Sequence, residues 1–174
     1  DPARQEAYVD NIIRFFPRDI APPTTSPREP VPIFIVGMPR SGTTLLDSAI
    51  SAHPKTASGG ELPYMPFALD EFFAWTRQSG WNGGPIPNDL LTAFREGYLK
   101  ELRDYDVAQA PFITDKQPTN FLSVGLIRQV FPEARIIHIR RNPVEVGFSI
   151  YRRNFTSGWQ FSNALDEIGH YYAQ

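Results

Sequence analysis

The stretch Pro32–His53, with the sequence PIFIVGMPRSGTTLLDSAISAH, determines the fold class of this chain. Ile33–Val36 is a continuous apolar run rich in β-branched residues, which is typical of a parallel strand buried on both faces. A polar loop bounded by Gly37 and Gly42 follows, and a helical pattern begins at Thr43. Free backbone N–H groups and the helix dipole converge on such a loop, so the stretch predicts an anion-binding site.

The loop departs from the ATP-binding pattern G-x-x-x-x-G-K-[ST] at one position. Gly37, Gly42 and Thr44 match the pattern, but Thr43 stands where the pattern has the lysine that reaches the β- and γ-phosphates. The fixed positive charge of the loop is Arg40 instead. These differences favour a compact anionic group over a Mg²⁺-bound triphosphate, and a purely structural strand–helix turn is the alternative.

Composition limits the class of protein. The chain has 174 residues, a formal net charge of −2 and no cysteine. Disulfides and thiolate metal sites are therefore excluded, and we expect neither a nucleic-acid partner nor a membrane partner. No signal-peptide pattern and no apolar run long enough to cross a bilayer is visible, so we expect a cytoplasmic location. The three histidines lack metal-ligand spacing, and no metal site is predicted.

The chain divides into two parts by composition. Residues 1–30 are predicted to form an N-terminal helix and a Pro-rich linker, and residues 31–174 a single α/β domain. The sequence stops within a helical pattern that has no C-cap, so we expect this domain to be truncated at its C-terminus. A helical-repeat region is conceivable outside the chain.

Two charged residues follow predicted strands. Glu61 lies on a glycine-containing turn just after the short strand predicted at 55–58, and Lys116 follows the strand predicted at 112–114. Open α/β sheets place their ligands at the carboxyl ends of strands, which gives both residues a candidate role. For Glu61 the alternative is an ordinary solvated loop carboxylate.

The next strand decides against a standard NTPase. The segment 134–139, predicted to be a buried strand, leads into two arginines where such enzymes place an acidic residue that positions Mg²⁺. Asn142 and Pro143 suit the start of the helix that follows. Arg141 and Ser149 are therefore predicted to bind a second anionic group, through a guanidinium fork and a hydroxyl. A basic surface patch shared with the nearby arginines is the alternative.

The helices between these motifs are predicted from their apolar spacing. The segment Pro118–Phe131 is expected to hold a helix. The loop 79–88, with Trp81 near its centre, is either a lid over the site or a plain connector. The helix after the anion loop is expected to face the core through Leu45, Leu46, Ala49 and Ile50.

Together these motifs resemble the sulfotransferases that use 3′-phosphoadenosine 5′-phosphosulfate (PAPS). The nearest likeness is to bacterial sulfotransferase domains often attached to tetratricopeptide repeats, and to the related protein-tyrosine sulfotransferases. The resemblance covers about Val31–Tyr172. It implies a three-layer α/β fold like that of P-loop NTPases, with a parallel sheet flanked by helices, of which residues 31–174 are the N-terminal part.

The resemblance also implies roles for individual residues. In the family, a segment like PRSGTT binds the 5′-phosphosulfate and a segment like RNPxxxxxS binds the 3′-phosphate. Glu61 matches the proposed catalytic base of the tyrosine sulfotransferases, and Lys116, in a segment like DKQP, matches the lysine that assists the sulfonate and its leaving oxygen. Arg40 is expected to share that stabilisation of charge. The implied donor-binding residues are Pro39, Arg40, Ser41, Gly42, Thr43, Thr44, Arg141 and Ser149.

The reaction implied is direct displacement: a sulfonate passes from PAPS to an acceptor hydroxyl, with adenosine 3′,5′-bisphosphate (PAP) as product and without a metal ion. The sequence does not select the class of acceptor. It lacks the KTHxP-like segment that carries the histidine base of cytosolic small-molecule sulfotransferases, and it lacks the later family segments that complete the donor and acceptor sites. Two alternatives stay open, a nucleotide or small-molecule kinase with an atypical phosphate loop and a catalytically silent nucleotide-binding module.

Overall fold

The computed structural model describes residues 2–17, 22, 30–105, 109–153 and 160–173. In these ranges four strands form one parallel sheet in the order β2-β3-β1-β4, namely β1 (Val31–Val36), β2 (Thr56–Ser58), β3 (Phe112–Asp115) and β4 (Arg135–His138). The α-helices are α1 (Pro2–Phe15), α2 (Thr43–Ser51), α3 (Tyr64–Ser79), α4 (Asn88–Asp104), α5 (Val124–Val130), α6 (Pro143–Tyr151) and α7 (Leu165–Ala173). The predicted α/β fold with a helix-flanked parallel sheet is confirmed. Most of the predicted linker within residues 1–30 lies outside the described residues.

Strand β1 is central because its apolar run lets it pair on both sides. It lies parallel to β3 and to β4, with Ile33 opposite Thr114 on one side and Arg135 on the other. Phe34 and Ile35 are fully buried although successive side chains of a strand point to opposite faces. The prediction of a strand covered on both faces is therefore confirmed.

The larger hydrophobic core lies against β1 and is built mainly by α3, α4 and α5. Helix α1 packs on it through partly buried aromatic and aliphatic side chains, among them Tyr8 and Phe15. Trp81 also belongs to this core, because its ring contacts Phe15, Phe72 and Trp75 at centroid distances of 5.5 to 5.7 Å. Those contacts support the connector interpretation of the loop 79–88.

The predicted inner face of α2 is wrong at Leu45 and Ala49, whereas Leu46 and Ile50 are partly buried. Leu45 is 78% exposed and Ala49 is also exposed, whereas Thr43 and Asp47 are buried. The reason is a polar interaction: Asp47 accepts hydrogen bonds from hydroxyl groups of β2 and β3, which turns this side of the helix toward the sheet. Hydrogen bonds to a charged group outweigh the apolar spacing here.

The structure corrects one further prediction and refines another. Strand β4 pairs with β1 at the edge of the described sheet, and its terminal residues Arg135 and His138 are exposed, so it is not the buried strand expected. The helix expected within Pro118–Phe131 is confirmed at Val124–Val130, and a 3₁₀ turn at Pro118–Phe121 precedes it. Tight bonds from each N–H to the carbonyl three residues earlier, as between Ser123 and Asn120, separate the two segments.

All four strands end at one edge of the sheet, since they run parallel. The anion loop follows β1, Glu61 follows β2, Lys116 follows β3 and Arg141 follows β4. After β1 the chain forms β2, which lies two positions away in the sheet, and β3 then fills the position between them. Strand β4 lies on the other side of β1. Such a reversal of strand order opens a crevice beyond the strand ends, where ligands of α/β sheets bind.

Candidate functional site

The loop between β1 and α2 has a backbone that only certain residues tolerate. Gly37 has a φ of 154°, and a Cβ atom there would lie 2.5 Å from the carbonyl oxygen of Ile139. Arg40 has a φ of 71°, which is a left-handed conformation that a residue with a side chain adopts at an energetic cost. The fold therefore holds Arg40 in a strained position at the point where the sequence predicts anion binding.

The start of α2 leaves donors available to a ligand. Gly42 precedes the helix and has no side chain to cap it, and the first N–H groups of a helix have no partner within the helix. The hydroxyl of Ser41 is buried and has no hydrogen-bond partner among the described residues. Backbone N–H groups, an unpartnered hydroxyl and a guanidinium next to a helix N-terminus form a donor set that fits an oxyanion such as a phosphate or sulfate group.

Glu61 and Lys116 lie in direct contact although they are far apart in sequence. The ammonium of Lys116 donates to Oε1 of Glu61 at 2.5 Å. The Lys116 side chain is 14% exposed and that of Glu61 is 55% exposed. The backbone N–H of Lys116 also donates to the carbonyl of Gly60 at 2.8 Å, which fixes the two turns to each other. The structure thus joins a sheltered cation to a solvent-accessible carboxylate.

Arg40 and Ser149 bring the two predicted anion sites together. Nε of Arg40 donates to Oγ of Ser149 at 3.1 Å. Helix α6, which carries Ser149, is capped as the sequence predicts, since Oδ1 of Asn142 accepts from the N–H of Val144 at 2.9 Å. An open cavity of about 390 Å³ adjoins this contact and is lined by Arg40, Glu145, Phe148, Ser149, Arg152 and Arg153.

Arg141 points to a different partner. Its guanidinium forms an ion pair with Glu145, one turn along α6, at 2.8 Å, and both side chains are more than half exposed. An exposed pair at this spacing contributes only about 0.3–0.5 kcal/mol, so an anionic ligand can replace it at little cost. In this structure, Ser149 lines the cavity with Arg40 while Arg141 pairs with Glu145.

Sequence reasoning missed Asp47. Its side chain is 5% exposed and accepts hydrogen bonds from Thr114 at 2.5 Å and from Ser58 at 2.8 Å. A polar residue four positions after the buried Thr43 would have been the available signal, because residues at this spacing share one helix face. The apolar residues on the other side of α2 concealed it.

A second buried carboxylate, Asp115, precedes Lys116 at the end of β3. Burial raises the pKa of Asp115 to about 7, although the backbone N–H of Gln117, which donates at 3.0 Å, opposes that shift. The phenol of Tyr98 donates to the same carboxyl group at 3.4 Å, and burial followed by this carboxylate raises the pKa of Tyr98 well above its usual value. Asp115 thus stabilises the turn that carries Lys116 through its hydrogen bond with the backbone of Gln117.

Within the described ranges, no three His, Asp or Glu side chains are grouped in a way that would hold a metal ion. No described helix combines the length and the apolar character needed to cross a membrane.

The family is shown by comparison with known proteins. The sequence pattern of the Sulfotransferase family matches residues 32–174, which is most of the chain. This chain therefore belongs to the sulfotransferase family.

Individual relatives agree with that assignment. The chain is 36% identical over 151 residues to an uncharacterized protein of Aquifex aeolicus (strain VF5), covering 80% of this chain and 19% of that protein. It is 27% identical over 139 residues to protein-tyrosine sulfotransferase 1 of Homo sapiens, covering 77% of this chain and 38% of that protein. It is 29% identical over 126 residues to a putative protein-tyrosine sulfotransferase of Caenorhabditis briggsae, covering 70% of this chain and 43% of that protein. The chain thus spans less than half the length of these relatives.

Proposed function

We propose that this chain is part of an enzyme that transfers a sulfonate group from PAPS to an acceptor hydroxyl by direct displacement. The observation that carries the proposal is the contact of Glu61 with Lys116 at the sheet edge that also holds the Arg40 loop. A base, a cation and an oxyanion-binding loop are the groups that such a transfer requires. Membership of the sulfotransferase family supports sulfonate transfer in general.

Glu61 has the position of a general base. Its carboxylate is more than half exposed, so an acceptor hydroxyl can reach it, and Lys116 orients it through their 2.5 Å contact. When bound, PAPS supplies an activated sulfonate, which passes to the acceptor oxygen as the acceptor proton passes to Glu61, leaving PAP. Lys116 and Arg40 would stabilise the negative charge that develops on the transferred group and on the leaving oxygen.

The donor is proposed to be held at two places. The first is the loop, where the uncapped helix N-terminus and the buried Ser41 hydroxyl would bind the 5′-phosphosulfate; the residues proposed there are Pro39, Arg40, Ser41, Gly42, Thr43 and Thr44. The second is Arg141 with Ser149, for the 3′-phosphate. The exposed pair of Arg141 with Glu145 is weak enough for a phosphate to replace it.

The acceptor is proposed only as a molecule that bears a hydroxyl group, since no described contact selects between a phenol, a tyrosine side chain, a carbohydrate and a lipid. We propose neither a nucleic-acid nor a membrane partner. We also propose a cytoplasmic location, since a cysteine-free chain is compatible with a reducing environment. Fractionation of cells that express the full-length protein tests that location.

Ligand-induced thermal shifts of the full-length protein test the donor. PAP, adenosine 5′-phosphate and ATP with Mg²⁺ are compared at equal concentration, so that the size of the shift reports relative affinity. A ligand at about 100 times its Kd stabilises the folded state by about 2.7 kcal/mol. We expect the largest shift with PAP. A shift with ATP and Mg²⁺ alone would overturn the proposal in favour of a kinase.

Transfer is then measured with donor labelled in its sulfonate group and a panel of acceptors containing a tyrosine peptide, a phenol and an oligosaccharide. We expect label to pass to at least one acceptor class without added metal ion. Strong PAP binding without transfer to any acceptor would contradict the catalytic part of the proposal and favour a silent nucleotide-binding module.

A further inference from the structure

A buried carboxylate connects the helix after the anion loop to the strand ends that carry Glu61 and Lys116. Asp47 lies in α2 and is 5% exposed. Its Oδ1 accepts from the hydroxyl of Thr114 in β3 at 2.5 Å, and its Oδ2 accepts from the hydroxyl of Ser58 in β2 at 2.8 Å. The proposed reaction leaves this carboxylate without a chemical role, although burying a carboxyl group costs free energy that its hydrogen bonds must offset.

The hydrogen bonds continue from Ser58 to the turn that carries Glu61. Oγ of Ser58 accepts from the backbone N–H of Gly60 at 3.2 Å. The carbonyl of Gly60 in turn accepts from the backbone N–H of Lys116 at 2.8 Å. Gly60 directly precedes Glu61, so the series of bonds that starts at Asp47 ends at both members of the Glu61–Lys116 pair.

At its other end the series reaches the donor loop. Thr43, the first residue of α2, is buried and lies one helical turn before Asp47. A turn of α-helix is rigid, and Asp47 attaches it to two strands at once. The position of the loop relative to the Glu61–Lys116 pair is therefore set by hydrogen bonds as well as by the sheet.

We infer that Asp47 and Ser58 are positioning residues, which hold the Glu61–Lys116 pair at the working distance from the anion loop. This inference rests on the proposed function, because it assigns the pair and the loop to one reaction. A displacement of about 1 Å in reacting groups costs on the order of 100-fold in rate, so even a partial loss of the series should be visible in kcat.

Four single variants test the inference in the full-length protein. Ser58→Ala removes the link to Gly60 and leaves Asp47 bonded to Thr114, whereas Asp47→Asn weakens both links. Ser58→Thr retains a hydroxyl at the same place and serves as the rescue. Ser51→Ala is the matched control, because Ser51 also donates to Asp47, at 3.4 Å, but does not lead to Gly60.

The first measurement separates rate from affinity. We expect Ser58→Ala and Asp47→Asn each to lower kcat by about tenfold or more while the Kd of PAP changes by no more than about threefold. Ser58→Thr and Ser51→Ala should stay within about twofold of the wild type. The double variant Asp47→Asn/Ser58→Ala should have a kcat no lower than that of the more impaired single variant, since the two residues act in one series.

The second measurement requires neither donor nor acceptor. Hydrogen exchange at the amides of Gly60 and Lys116 should accelerate by about tenfold in Ser58→Ala and remain unchanged in Ser51→Ala. If Asp47→Asn fails to fold, Ser58→Ala with its rescue still decides the question.

The outcomes separate the two claims. Normal kcat in Ser58→Ala, equal losses in Ser58→Ala and Ser51→Ala, or additive losses in the double variant would overturn the inference while the proposed function stands. A wild-type protein that transfers no sulfonate would refute the proposed function. In that case unchanged exchange in Ser58→Ala would also overturn the structural link, and accelerated exchange would support it.

Discussion

At the end of β3 the charged side chain is sheltered from solvent, whereas at the ends of β1 and β4 the charged side chains lie mostly in solvent. Lys116 is 14% exposed and directly follows the buried Asp115. Arg141 is 56% exposed and pairs with a carboxylate that is equally accessible. Lys116, which pairs with the more exposed Glu61, is therefore held in place by the fold before any ligand binds.

The Arg40–Ser149 region, by contrast, includes the long, exposed side chains of Arg40 and Arg141. Long charged side chains lose conformational entropy when a ligand orders them, which reduces the affinity that their contacts provide. We therefore expect changes in the Glu61–Lys116 region to act mainly on rate and on stability, and changes in the Arg40–Ser149 region to act mainly on affinity. The following predictions test that contrast, from the largest expected effect to the smallest.

Glu61→Gln should lower kcat by about 10²–10⁴, the range for loss of a positioned general base, because the amide cannot take the acceptor proton. The Kd of PAP should remain nearly unchanged. Steady-state kinetics and calorimetric titration measure the two quantities, with the exposed Glu96→Gln of α4 as control. Near-normal turnover would remove Glu61 from the mechanism.

Asp115→Asn should change how stability depends on pH. Burial raises the pKa of Asp115 to about 7 in the folded state, against about 3.9 in the unfolded chain, so the folded state binds more protons between these values. Its contribution therefore makes stability fall as pH rises from about 4 to about 7, by up to about 1.4 kcal/mol per pH unit. Removing the group should reduce that decline.

Urea unfolding at several pH values measures the effect as a difference between wild type and variant. Asp10→Asn, which changes an exposed carboxylate of α1, is the control and should leave the pH dependence as it is. A decline of equal slope in Asp115→Asn would show that the carboxyl group titrates normally in the folded protein.

Gly37→Ala should destabilise the fold by roughly 2–3 kcal/mol, because it adds a close contact with the carbonyl of Ile139 to a positive φ. Gly83→Ala is the matched control, since Gly83 has a similar φ of 143° but no neighbouring atom within 4 Å of the added carbon. Urea unfolding should give a cost of about 1 kcal/mol for the control. Equal losses in both variants would mean that Ile139 moves aside.

Arg141→Ala and Ser149→Ala should weaken PAP by about tenfold and adenosine 5′-phosphate by much less, because each variant would lose the hydrogen bond proposed to the 3′-phosphate, worth about 1.5 kcal/mol when charged. Calorimetric titration of both nucleotides provides the comparison, and Arg103→Ala on α4 is the control. A similar loss for both nucleotides would place the second anion site elsewhere.

Features that depend on local sequence can be predicted without the structure. Gly37, Gly42 and the helix start after them follow from local turn chemistry, and Asn142 followed by Pro143 predicts a capped helix that the structure contains. The placement of Glu61 and Lys116 at strand ends follows from the alternation of strands and helices. The assignment of individual residues to donor binding and catalysis stays a prediction.

Predictions that depended on burial were less successful. The apolar spacing of Leu45 and Ala49 favours the wrong face of α2, because it takes no account of the hydroxyl groups that β2 and β3 present to Asp47. The exposure of β4 depends on its place at the edge of the described sheet, which strand order decides and apolar content does not.

The sequence by itself determined the strand–loop–helix unit, the parallel sheet and the charged residues at its carboxyl edge, because these follow from local turn chemistry and from the alternation of strand and helix patterns. Only the tertiary structure decided that Lys116 contacts Glu61, that Arg40 contacts Ser149 while Arg141 pairs with Glu145, and that Asp47 of α2 accepts hydrogen bonds from β2 and β3. Most of these contacts join residues separated by large stretches of chain, up to 109 residues for Arg40 and Ser149, so they depend on how whole elements pack.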